Sequence, residues 1–107
     1  MARSKSDLES LLATLGPADR LQSFVDARLG PVREYDQAHK GRLIETLTAY
    51  FASGRSLAGT AQRLRTHRNT VLYRLRRVEQ LAGIDLSDPQ TELELQVALH
   101  IAAALSR

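Results

Sequence analysis

SLAGTAQRLRTHRNTVLYRLRRVEQLA, residues 56–82, is the stretch that decides how the whole chain folds. It contains two apolar stripes at helical spacing with only a short break between them. Over Leu57 to Leu64, the first stripe is Leu57, Ala61 and Leu64, and the small Ala61 lets a partner helix come close. From about Arg68 to Ala82, the second is Val71, Leu75, Val78 and Ala82, an i, i+4, i+7, i+11 series on one side of a helix. Two such helices joined by a turn of about three residues pack across one another as a helix-turn-helix pair. Ser56 is placed to cap the first, and Gly83 ends the second. Either Thr66 or His67 caps the second; the sequence leaves that open.

The flanking blocks are helical too. Ser6 or Asp7 opens a short helix through Leu8, Leu11, Leu12 and Leu15, stopped by Gly16-Pro17. A second runs from about Pro17 to Leu29, with Leu21, Phe24, Val25 and Leu29 on one face, and Gly30-Pro31 reads as its break. Asp36 is an N-cap for a third, about Gln37 to Ala52, which ends at Ser53-Gly54. Asp88-Pro89 opens the last, to about Leu105. No segment alternates like a strand. The expectation is a compact all-α domain of five to six helices.

Composition narrows the function. The chain has 107 residues, 43% hydrophobic and 25% charged, enough for one core and too little for two. It lacks Cys, so disulfides and thiolate metal sites are excluded. The longest nearly apolar run, Val97 to Leu105, is about half of what spans a bilayer, and Met1 to Glu9 is polar; a cytoplasmic protein is expected. His39, His67 and His100 sit in separate elements without the i, i+4 pairing of a metal site. Phosphate-cradling Gly loops and Gly-x-Ser-x-Gly elbows are missing as well. Neither an enzyme nor a cofactor is expected, and no small-molecule ligand in this segment.

Net charge is only +3, but it is unevenly placed. From Thr46 to Val78 there is no acid and there are seven arginines: Arg55, Arg63, Arg65, Arg68, Arg74, Arg76 and Arg77. The remaining eight basic residues face twelve acids. Such a segment is an electrostatic footprint for a polyanion. Opposite the apolar stripe of the second helix lie Asn69, Tyr73, Arg76 and Gln80, flanked by Leu72 and Arg77. Amide, phenol and guanidinium groups on one face suit the major groove of double-stranded DNA, where Asn pairs with adenine and Arg with guanine or phosphate. Expected DNA-binding residues are Ser56, whose helix N-terminus can meet a phosphate, then His67, Arg68, Asn69, Thr70, Tyr73, Arg74, Arg76 and Arg77. Several have plain alternatives: a helix cap for His67, an intrahelical bond for Thr70, an acid partner for Arg74. The last helix is apolar nearly all round. It is therefore either central in the core or covered on one side by a second copy, giving a homodimer.

At these residues the chain resembles a known family. HRNTVLYRLRRVEQLAGIDLSDP, from His67 to Pro89, is similar to the C-terminal helix-turn-helix of PucR/CdaR-type bacterial transcription regulators. The likeness extends upstream through LGPVREYD and LIETLTAYF and covers about Leu29 to Leu105. More distantly, the pair of helices resembles that of Fis-type nucleoid proteins. The resemblance implies sequence-specific DNA binding, with about 68–82 as the reading helix, residues 35–107 as the DNA-binding domain, and residues 1–34 as a linker or the tail of an upstream domain. It also implies a nucleoid-associated place in the cytoplasm. The alternative is an architectural DNA-binding protein of low sequence specificity. Two residues depart from the pattern: Thr66 stands where an apolar residue precedes the His, and Arg65 takes a turn position that many such motifs give to Gly.

Overall fold

The computed structural model describes residues 17–106, and the helix expected around Leu8 to Leu15 lies outside them. Five helices follow in order: α1 (Ala18–His39), α2 (Leu43–Ala52), α3 (Leu57–Leu64), α4 (Arg68–Ala82) and α5 (Pro89–Leu105). Among the described residues there is no strand. The fold is all-α, as the periodicity requires.

The first half divides differently from expectation. Gly30-Pro31 does not end a helix; α1 runs through it for 22 residues, to His39. Proline removes one backbone bond and glycine adds chain entropy, together about 4 kcal/mol in a helix interior. Against this, Val25, Leu29 and Val32 form a continuous i, i+4, i+7 stripe, each at most 1% exposed. Continuing the helix buries Val32 and carries Tyr35 to the core, which offsets the local penalty. Pro31 itself faces solvent.

Asp36 is likewise not the cap of a helix starting at Gln37. It sits in the last turns of α1, and its two carboxylate oxygens accept the backbone N–H groups of Leu43 and Ile44 at 2.8 and 3.0 Å. It therefore caps α2 from seven residues upstream, across the tight turn at Lys40, Gly41 and Arg42. Gly41 lies against the Tyr35 ring, where a Cβ would stand 2.6 Å from a ring carbon. Only glycine fits there.

One core joins all five helices: Leu47 from α2, Ala61 from α3, Val71, Leu75 and Val78 from α4, and Leu95, Ala98 and Ile101 from α5 complete the stripe of α1. Helix α5 packs mainly along α1. It is not enclosed. Only Leu95, Ala98 and Ile101 are buried, while Leu93 is 57% exposed and Ala103 faces solvent. Beside it runs an apolar groove lined by Leu29, Ile44, Phe51, Leu99 and Ala103. The Asp88 carboxylate accepts the Thr91 N–H at 2.9 Å and Pro89 takes the first helical position, as the sequence indicates.

Candidate nucleic-acid interface

Helices α3 and α4 pack on each other and on α2. Ser56 caps α3 by accepting the Gly59 N–H on its hydroxyl at 2.9 Å. The helix closes at Arg65, whose backbone is left-handed (φ 54°, ψ 47°). The Thr66 N–H reaches back to the Ala61 carbonyl at 3.0 Å, so the turn has the glycine-type closure without glycine. His67, not Thr66, caps α4: its Nδ1 accepts the Asn69 N–H at 3.0 Å. With Nδ1 engaged, Nε2 is the ring nitrogen left for another partner. At the other end Gly83 supplies the left-handed cap (φ 66°), and Glu79 Oε2 accepts the Leu86 N–H at 2.9 Å, holding the turn into α5.

With Val71, Leu75 and Val78 buried, the opposite face of α4 is presented to solvent. Asn69, Tyr73, Arg76 and Gln80 are all exposed, Tyr73 to 61%. His67 and Arg68 are exposed at the start of the helix, and Ser56 at the start of α3. Thr70 and Leu72 are half-buried on the flanks. The strip is made of amide, phenol and guanidinium groups and contains no carboxylate.

Two of the expected arginines have partners within the protein. Arg74 donates from Nη1 to the hydroxyl of fully buried Thr46 at 3.3 Å and lies near Glu45. Arg77 stacks its guanidinium over the Tyr35 ring, 5.0 Å from the centroid, and donates to Gln80 Oε1 at 3.0 Å. Its Nε is buried without a partner. Sequence spacing alone misses both anchors, because Thr46 and Tyr35 lie on other helices. Elsewhere in the acid-free segment, Arg55 pairs with Glu92 at 2.8 Å and Arg63 donates to Ser53 Oγ at 3.3 Å. Among the described residues, Arg65, Arg68 and Arg76 have no side-chain partner.

The fold and this surface define a helix-turn-helix DNA-binding domain. A family profile described as the PucR C-terminal helix-turn-helix domain matches residues 43–101. The chain belongs to that family, whose domains serve DNA-binding transcription regulators. It is 37% identical over 100 residues to the purine catabolism regulatory protein of Bacillus subtilis, which spans 94% of this chain and 18% of that protein. An uncharacterized protein of Thermomonospora curvata is 39% identical over 92 residues, 86% of this chain and 48% of its own length. The carbohydrate diacid regulator of Escherichia coli is 40% identical over 63 residues, 59% of this chain and 16% of that protein. The chain thus spans less than half the length of each. No solved structure is a significant match. Nothing in these relatives favours an architectural nucleoid protein.

Proposed function

We propose that this domain reads a specific operator by laying α4 in the major groove. The observation that carries the reading is the exposed Asn69, Tyr73, Arg76 and Gln80 strip on a helix whose other side is locked in the core. Asn69 lies near the start of α4, where a reading helix approaches base edges, and its carboxamide suits adenine. Arg68 and Arg76 meet phosphate or guanine, Tyr73 and Thr70 the backbone at the groove wall. His67 donates Nε2–H to a phosphate, and the N-terminus of α3 at Ser56 receives another. Arg74 and Arg77 contribute positive potential while staying anchored to Thr46, Tyr35 and Gln80. All these contacts come from residues 35–107, but the folded unit begins earlier than residue 35, because α1 crosses that boundary and gives Val25, Leu29 and Val32 to the shared core.

The domain works as a homodimer through the uncovered side of α5, so that two reading helices about 34 Å apart meet a near-palindromic site. The longer relatives include regulators named for purine catabolism and carbohydrate diacids. By analogy this domain is the output end of a cytoplasmic, nucleoid-bound transcription regulator, without catalytic activity, cofactor or small-molecule ligand of its own. No group of three His, Asp or Glu side chains suited to a metal occurs among the described residues. Selection of bound sites from a random DNA pool tests the reading. Enrichment of one motif with two-fold symmetry is expected; equal retention of all sequences would establish the architectural alternative, and no retention would remove both.

A further inference from the structure

Four non-glycine residues have a left-handed backbone, and all four are basic: Lys40, Arg42, Arg55 and Arg65, with φ between 52° and 64°. A Cβ is disfavoured there, and the chain uses glycine in the same conformation at Gly54 and Gly83. Two of the four have an evident use for the side chain. Arg42 forks onto Glu45 at 2.8 and 3.0 Å, and Arg55 pairs with Glu92. Lys40 and Arg65 do not: both are exposed, without an acid or hydrogen-bond partner among the described residues, but only Arg65 belongs to the helix-turn-helix, in the turn two residues before the cap of α4. Its turn is closed by the Arg65 and Thr66 N–H groups on Gln62 and Ala61 carbonyls, bonds that glycine would make equally well.

Resting on the reading helix proposed above, we infer that Arg65 is a phosphate-contacting residue that flanks the start of α4. A left-handed position keeps a charge that no side chain among the described residues engages. The competing explanation is favourable contact between the guanidinium and the C-terminal dipole of α3, which acts on stability and not on DNA.

Three substitutions separate the two: Arg65→Gly relieves the backbone, Arg65→Asn tolerates it without charge, and Arg65→Lys keeps the charge. Each is titrated with the selected operator between about 50 and 200 mM salt, beside thermal melts and an Arg76→Ala control. The Gly and Asn variants are expected to melt no lower than the parent. They should bind roughly threefold to tenfold more weakly at moderate salt, with a salt slope smaller by about 0.9. Arg65→Lys should keep the slope. If the Gly and Asn variants keep the parent slope while Arg76→Ala loses it, α4 still enters DNA and the assignment of Arg65 is wrong. Parent slopes for Arg76→Ala and Arg65→Asn together would overturn the reading helix itself.

Discussion

His67 serves the fold through one ring nitrogen, and the proposed reading gives the other to DNA. Its Nδ1 holds the Asn69 N–H, which leaves Nε2 for a ligand. His67→Asn keeps a good N-cap but removes the outward donor. Thermal stability should change by less than about 0.5 kcal/mol while operator affinity falls, the loss being checked by filter binding at fixed salt. A matching drop in stability would mean the histidine is only a cap. Arg76 and Arg77 make the same point as neighbours. Arg76→Ala should reduce the salt slope by about one unit. Arg77→Ala should change the slope less and lower the melting temperature, because its guanidinium sits on Tyr35 and Gln80. The 3.6-residue wheel finds the exposed face of α4 correctly, since that depends only on its own stripe. It cannot tell a free arginine from an anchored one, because the anchors come from α1 and α2.

At the scale of elements, α1 is where local rules and tertiary packing disagree. Caps and stops read from sequence hold for α3, α4 and α5, where Ser56, Gly83 and Asp88-Pro89 act as their chemistry dictates. They fail at Gly30-Pro31, because Leu29 and Val32 on either side are both buried by α5 and the rest of the core. The Asp36 cap is half legible: the carboxylate does cap α2, but through space and not as the preceding residue. If α1 is continuous despite its proline, Pro31→Ala restores a backbone bond at an exposed site. Stability should rise by about 2 kcal/mol, the helix gain less the lost rigidity of the unfolded chain. Urea denaturation measures this directly. A fall in stability would show that the proline is needed where it stands.

For the whole molecule, acid and association are the two informative variables. Glu45 is held below the ordinary carboxylate range by the Arg42 hydrogen bond, Glu94 by Gln90 and then Arg28, and Asp85 by the Ser87 hydroxyl and N–H. Groups whose folded pKa is depressed contribute stability that is fully present above their unfolded values and is lost as pH falls through the folded ones. Stability should therefore be insensitive to these groups from neutral pH to about 5, then decline below about pH 4. Glu94→Gln should shallow that decline in a pH series of denaturant midpoints. Glu45 and Asp85 are exposed and Glu94 is half-buried at the surface, so the effect is small and fades with salt.

The proposed dimer rests on the uncovered side of α5. Helix α5 spends Leu95, Ala98 and Ile101 on the core and leaves Leu99 and Ala103 at or near the surface beside Phe51 and Ile44, with Leu93 exposed elsewhere on the helix. An uncovered apolar face of this kind suits a second copy better than water. Ala103→Glu places a charge on that face without touching the core, since Ala103 is exposed. The folded monomer should melt normally, the sedimenting species should shift from dimer to monomer, and binding to a two-half-site operator should weaken far more than binding to a single half-site. A parent protein that sediments as a monomer on its own and occupies each half-site independently would show that the groove has no such role, and the spacing of reading helices would then be set elsewhere in the regulator.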